Sequence, residues 1–147
     1  MIVKNRKIIV ALACRVDGKR LFAKPLQNLD EISYKPILDI ILSQLLTFFK
    51  KKDIILAISK KKNNQCFVEY ANKNKIKFFL GDEVDVLKRI IKSCEKINGT
   101  DIFRVTSESP FIFLKNLKKN INTHLKGNYD LTALDNVPDG SGYEIIK

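Results

Sequence analysis

The sequence predicts an α/β domain of three layers, with helices on both faces of a mainly parallel sheet, and two observations carry that prediction. Short apolar runs of strand length alternate with amphipathic stretches of helical spacing, in the order βαβαβαβαβ. The first run, Lys7 to Cys14 (KIIVALAC), is nearly unbroken, the pattern of a central parallel strand covered on both sides. In such a sheet the crossovers are right-handed and ligands bind at the carboxyl ends of the strands.

Each later element has its own local reason. Pro36 stands where a first helical turn tolerates proline, and Ile37, Leu38, Ile41, Leu42, Leu45, Phe48 and Phe49 follow on a broad apolar face. Asp53 to Ile58 reads as a second buried strand, and Gln65 to Asn74 carries Phe67, Val68 and Ala71 at helical spacing. Ile76 to Leu80 is a short third strand, broken by Gly81. Asp82, Glu83 and Asp85 then load acidic charge at the start of a helix, where its dipole favours them. Val84, Leu87, Ile90, Ile91, Cys94 and Ile97 mark the stripe that this helix is expected to bury. Asp101 to Thr106 is a strand, Phe113 to Leu125 a helix, and Tyr129 to Leu134 a further strand before a turn at Pro138, Asp139 and Gly140.

Composition narrows the function classes. A chain of 147 residues with 45% hydrophobic content suits a single domain over residues 1–147. The nearest approach to a membrane span, Pro36 to Phe49, is shorter than the roughly 20 residues needed. It is also interrupted by Asp39, Ser43 and Gln44, so no membrane partner is expected. Lys4, Arg6 and Lys7 precede an apolar run that stops at Arg15 with no small-residue cleavage pattern, unlike a secretory signal. Cys14, Cys66 and Cys94 are odd in number and scattered, and His124 is the single histidine. Neither a disulfide framework nor a zinc site is indicated, and a reducing cytoplasm fits this usage. The net charge of +11 suggests a polyanion partner. However, Lys50 to Lys52, Lys60 to Lys62 and Lys115 to Lys119 fall at helix ends, loops and outer faces without repeated aromatic platforms. They read as solvated surface, and nucleic-acid binding is the third-ranked function.

The most informative segment follows the first strand: Cys14-Arg15-Val16-Asp17-Gly18-Lys19-Arg20-Leu21-Phe22-Ala23-Lys24-Pro25-Leu26. It sets cations and a glycine at the ligand edge. A triphosphate needs several positive donors at once, because charge on more than one phosphate must be neutralised before the α-phosphorus is attacked. Arg15, Arg20 and Lys24 suit this role, the arginines as planar forks and the lysine as a point charge. No G-x-G-x-x-G follows the strand, so a dinucleotide site is not expected.

With Lys35-Pro36-Ile37-Leu38 at the right distance, this segment resembles the phosphate-binding signature of the cytidylyltransferases, and the nearest branch is the spore-coat polysaccharide protein F type. That branch is related to the enzymes that activate acylneuraminate and ketodeoxyoctonate sugars with CTP. Three later blocks agree in order: Gly81 with Asp85-Val86-Leu87 and Arg89, then Arg104-Val105-Thr106-Ser107-Glu108-Ser109-Pro110, then Pro138-Asp139-Gly140 with Glu144. The resemblance implies a Rossmann-like sheet of the nucleotide-diphospho-sugar transferase type. It also implies transfer of CMP from CTP to a sugar, a sugar acid by preference, for surface polysaccharide or glycoconjugate synthesis.

On the same resemblance Arg15 and Lys24 are the catalytic residues, and Ala13, Cys14, Arg15, Gly18, Arg20 and Lys24 bind the nucleotide. Ala13 and Cys14 would act through their backbone. Asp139 and Glu144 would face the acceptor, and Glu108 would hold Mg²⁺. Arg104 is expected to pair with Asp85 or Glu108, and Arg89 to form an ordinary helix pair with Asp85. Four positions depart from the pattern: Gly18 replaces a serine, Phe22 a proline, and Ser107-Glu108 a Gly-Asp pair. These departures motivate the alternative of a catalytically silent nucleotide-binding domain. The resemblance covers roughly the first two thirds of such a domain. The remainder includes the dimerisation region, so a homodimer is implied only for a longer version.

Overall fold

A computed structural model describes residues 5–17 and 21–147. Strand β1 (Ile8–Cys14) lies inside a six-stranded sheet because neither of its faces is polar. Ile9 and Ala11 pack to one side, and Val10, Leu12 and Cys14 to the other. β1 pairs in parallel with β2 (Ile54–Ser59) and with β4 (Asp101–Thr106), and β2 pairs in parallel with β3 (Lys77–Gly81). The alternation continues in β2, where Ile54, Leu56 and Ile58 join one core and Ile55 and Ala57 the other.

Helices α1 (Ile37–Leu45), α2 (Gln65–Asn74) and α4 (Leu117–Gly127) send Leu38, Ile41, Leu45, Phe67, Ala71 and Leu117 into the first core. Helix α3 (Val86–Lys96) covers the opposite face with Ile90 and Cys94 over Ala11 and Ala57, which completes the three layers. The strand order is β3-β2-β1-β4-β6-β5. The chain therefore builds outward from β1 to β3, then crosses through α3 to β4 on the other side. That reversal sets the topological switch point, where open α/β sheets bind ligands, between the carboxyl ends of β1 and β4.

Four expectations change. First, β6 (Glu144–Ile146) is an additional strand, lying antiparallel between β4 and β5 (Leu131–Ala133). Three residues are too few to show a period, so nothing in the sequence marked it. The sheet remains mainly parallel. Second, α1 stops at Leu45, and Phe48 lies half-exposed in the turn that follows. Third, α4 starts at Leu117, because Phe113 is held outside the helix by donating its N–H to the Ser141 carbonyl at 2.8 Å.

Fourth, the stripe assigned to α3 is half wrong. Val84 is 89% exposed, and Leu87 and Ile91 also face out, while Arg89 and Ser93 take the inner face beside Ile90 and Cys94. The guanidinium can be buried there because main-chain carbonyls receive it: Nε donates to Ala57 at 3.1 Å and an Nη to Asp82 at 2.6 Å. Gly81 belongs to the same arrangement. A Cβ on it would sit 2.6 Å from Arg89 Cγ, so the strand end must lack a side chain for the arginine to pass. The lysine clusters, as expected, lie on exposed positions.

Candidate functional site

β1 and β4 deliver their next residues to the switch point, Arg15 from the first and Ser107, Glu108 and Ser109 from the second. The stem of the loop after β1 is tied down from the β2–α2 corner. Val16 donates its N–H to Asn64 Oδ1 at 2.7 Å, and the Asp17 carboxylate accepts from Lys61 Nζ at 3.2 Å and Asn63 Nδ2 at 2.8 Å. Ala23, in the left-handed region at φ 45°, closes the loop by donating to the Val16 carbonyl at 3.0 Å. Lys24 follows in a short 3-10 turn, Lys24–Leu26, fixed by Pro25.

Two chambers open here. The first, about 390 Å³, is lined by Arg15, Lys24, Arg89, Arg104, Ser107 and Glu108 among others. The second, about 590 Å³, runs from the same Lys24, Glu108 and Ser109 past Phe111 and Phe113 to Asp139 and Ser141. Lys24 Nζ stands 3.9 Å from Glu108 Oε2 at the junction. Arg15 has no carboxylate partner among the described residues. Burial pushes the Arg89 guanidinium below its usual range, and the charge of Arg15 adds to that effect. Three guanidinium groups and an ammonium around one hollow, with a single carboxylate lining it, form a receptor for a multiply charged anion.

The sequence candidates fare unequally. Arg15 and Lys24 line one chamber, as required of phosphate ligands. Gly18 and Arg20 lie outside the described residues. Ala13 lines the first chamber, but its carbonyl already accepts from Ser107 Oγ at 2.8 Å. Cys14 can contribute backbone only: its side chain is buried in the core, and burial pushes the thiol up to about 12. Asp139 lines the second chamber, whereas Glu144 lines a separate hollow and is ion-paired with Arg104 at 2.7 Å. The two acceptor candidates are therefore not brought together. Arg104 takes Glu144 as its partner, instead of Asp85 or Glu108, because β6 lies against β4 in a register that sets residues 104 and 144 opposite each other. Asp85 instead caps α3, its carboxylate accepting from the Lys88 N–H at 2.8 Å.

Arg89 is the functional candidate that the helix-pair reading missed. The available signal was an arginine next to Ile90 on the inward face, following a glycine that ends a strand. Glu108 is the carboxylate of the first chamber, and among the described residues no group of three or more His, Cys, Asp or Glu side chains could form an all-protein metal cage. One carboxylate in a chamber lined by cations suits Mg²⁺, which keeps several waters and needs few protein oxygens.

A mainly parallel sheet covered on both faces, with a cationic chamber at its switch point, defines a doubly wound α/β protein with an anion-receiving site. Comparison with known proteins narrows this: the family profile described as Cytidylyltransferase matches residues 8–147, and the chain belongs to that family. An uncharacterized protein of Methanocaldococcus jannaschii is 32% identical over 140 residues, which span 95% of this chain and 56% of that protein. The spore coat polysaccharide biosynthesis protein SpsF of Bacillus subtilis is 27% identical, over 95% of this chain and 59% of its own length. The chain thus spans somewhat more than half the length of these relatives. Among solved structures, a cytidylyltransferase from Leptospira borgpetersenii superposes with a TM-score of 0.81 at 21% identity, covering 96% of this chain and 60% of the other. A CMP:2-keto-3-deoxy-manno-octonic acid synthetase complexed with CTP gives a TM-score of 0.65 at 15% identity, covering 88% and 54%. These two establish the shared fold. Among the described residues no helix is long and apolar enough to cross a membrane.

Proposed function

We propose that this domain transfers CMP from CTP to a hydroxyl of a sugar or sugar acid destined for surface polysaccharide or glycoconjugate synthesis. The observation that carries the proposal is the pair of chambers meeting at Lys24 and Glu108, one cationic and sized for a nucleotide, the other open to an acceptor. Family membership, SpsF as a relative and a solved CTP complex with the same fold support cytosine and sugar as the partners. Three free thiols support a reducing, cytoplasmic setting for this reading.

In this reading Arg15 and Lys24 hold the triphosphate, and Arg89 supplies fixed positive charge from beneath. The acceptor oxygen bonds to the α-phosphorus and gives up its hydroxyl proton to solvent, the bond from that phosphorus to the bridging oxygen breaks, and pyrophosphate leaves with the electron pair. Glu108 would hold Mg²⁺, which when bound neutralises phosphate charge and makes the α-phosphorus more electrophilic. The arginine, lysine and carboxylate are presented by strand ends and a closed loop stem, so the charge array needs little rearrangement to receive its anion.

Calorimetric titration with CTP and an assay of pyrophosphate release with CTP, Mg²⁺ and a panel of sugars and sugar acids test the reading. Arg15→Ala and Lys24→Ala should each weaken CTP binding by about 10- to 100-fold, the scale of a charged hydrogen bond of about 1.5–3 kcal/mol. Folding stability should move by less than about 0.5 kcal/mol, because both groups sit at the surface of the cleft. Undiminished binding in both variants rules the proposal out. CTP binding with no pyrophosphate release from any acceptor would favour the silent nucleotide-binding domain.

A further inference from the structure

We propose that the second chamber selects an acceptor whose body, beyond the hydroxyl that reacts, is neutral or amino-bearing and carries neither carboxylate nor phosphate. The inference rests on the reading that the first chamber holds CTP.

The two chambers differ in sign. Around the first, Arg15, Lys24 and Arg89 outnumber Glu108. Past the shared junction of Lys24, Glu108 and Ser109, the described walls of the second carry a single charged side chain, Asp139. Its other polar groups are largely committed. The Gln44 amide donates to the Pro110 carbonyl and its oxygen accepts from the Ile112 N–H at 3.4 Å. The Ser141 hydroxyl donates to the Pro138 carbonyl at 2.6 Å. Arg104, in the adjoining hollow that also reaches Gly140, is tied to Glu144. An anionic group on the body of an acceptor would therefore face a carboxylate, with no described cation to offset it. Like charges in a partly enclosed site repel strongly enough to exclude a ligand.

What the walls do offer is complementary to a sugar. An ionised Asp139 only accepts hydrogen bonds, so it matches hydroxyl or ammonium donors. The Phe111 ring, 72% exposed, and the half-exposed Phe113 provide apolar faces for the C–H side of a pyranose. Gly140, at φ 78°, lies against Ser109 beside Asp139: a Cβ on it would come 2.8 Å from Ser109 Oγ. The volume of about 590 Å³ is within the range of small-molecule sites. An acid group directly beside the reacting hydroxyl would remain at the junction, near Lys24, and is compatible. The exclusion applies to the far end.

The test uses four sugars that share one anomeric hydroxyl and differ elsewhere: glucose, glucosamine, glucuronate and glucose 6-phosphate. Their binding is measured by ligand-observed NMR on the full chain, with and without α,β-methylene CTP. Glucose and glucosamine should bind at least about tenfold more tightly than the two anionic sugars, as expected from like-charge exclusion. Asp139→Lys, at an exposed turn position, should reverse that order, and continued binding of α,β-methylene CTP shows that the variant is folded. Equal or tighter binding of glucuronate or glucose 6-phosphate, no binding of any of the four, or an unchanged order in Asp139→Lys overturns the inference. Failure of α,β-methylene CTP to bind in its own titration sinks the nucleotide reading instead. The sugar order without nucleotide then still decides the acceptor class.

Discussion

The two ends of one parallel sheet use charge in opposite ways. At the amino end of β4, Asp101 is fully buried and surrounded by donors. Arg6 reaches it through Nε at 3.0 Å and through a second, closer nitrogen, Thr100 Oγ1 lies at 2.7 Å, and His124 Nε2 at 3.0 Å. His124 is itself buried and has Thr132 Oγ1 2.8 Å from Nδ1, so the network ties β4 to α4 and β5. At the carboxyl end the opposite holds. Arg15 has no described carboxylate partner, Arg89 is held only by carbonyls, and Lys24 stands 3.9 Å from a half-exposed Glu108. Charges that satisfy one another hold the fold together, whereas cations left facing a hollow are available for a ligand.

The largest effect expected from breaking this contrast is at the closed end. Asp101→Leu leaves the Arg6 guanidinium without its counter-charge and the buried His124 without its carboxylate hydrogen-bond partner, and should cost about 3–5 kcal/mol of folding stability. Urea unfolding measures it, and CTP affinity of the folded chain should be unaffected. A loss below about 1 kcal/mol would show that the network does not hold the amino end.

The same lock can be opened by acid. Burial by itself raises the Asp101 carboxyl, but hydrogen bonds from Arg6, Thr100 and His124 outweigh it and hold the group below its usual value. A group lowered on folding contributes fully at pH above its unfolded value of about 3.9, and loses that contribution as pH falls through the folded value. Unfolding free energy should therefore decline with acidification below about pH 4. Asp101→Asn, already uncharged, should lack that part of the slope, and parallel acid profiles for the two proteins would refute the assignment.

The closed end was almost invisible in the sequence, because Arg6, Asp101 and His124 are far apart in the chain and nothing in their spacing says they meet. The open end was more legible. A basic loop after an apolar strand is a local pattern, and Arg15 and Lys24 from it line the same chamber. The central strands were found to within a residue or so, since β1 is apolar throughout, β2 nearly so, and β4 carries Ile102, Phe103 and Val105. What failed depended on partners from elsewhere in the chain. The inward face of α3 was misread because Ala57 and Asp82 carbonyls make a buried arginine tolerable, and a helical apolar pattern cannot encode that. Glu144 was assigned to the acceptor because β6 is too short to announce itself, and its pairing with Arg104 follows from the register of that strand.

A smaller prediction lies between the two ends. Asn64 is buried and fixes the stem of the cationic loop through one hydrogen bond from Val16, yet its Nδ2 has no partner among the described residues. Removing the side chain loses a bond and also removes an orphan donor, so the two terms partly cancel. Asn64→Ala should cost only about 1 kcal/mol of stability, measured by urea unfolding. Its effect on CTP should be disproportionate, with affinity falling by about tenfold as the position of Arg15 loosens. Asn64→Asp retains an oxygen for the Val16 N–H and should recover affinity better than alanine does. If alanine and aspartate weaken CTP binding equally, the loop is held by Asp17 with Lys61 and Asn63, and the buried amide is only filling space.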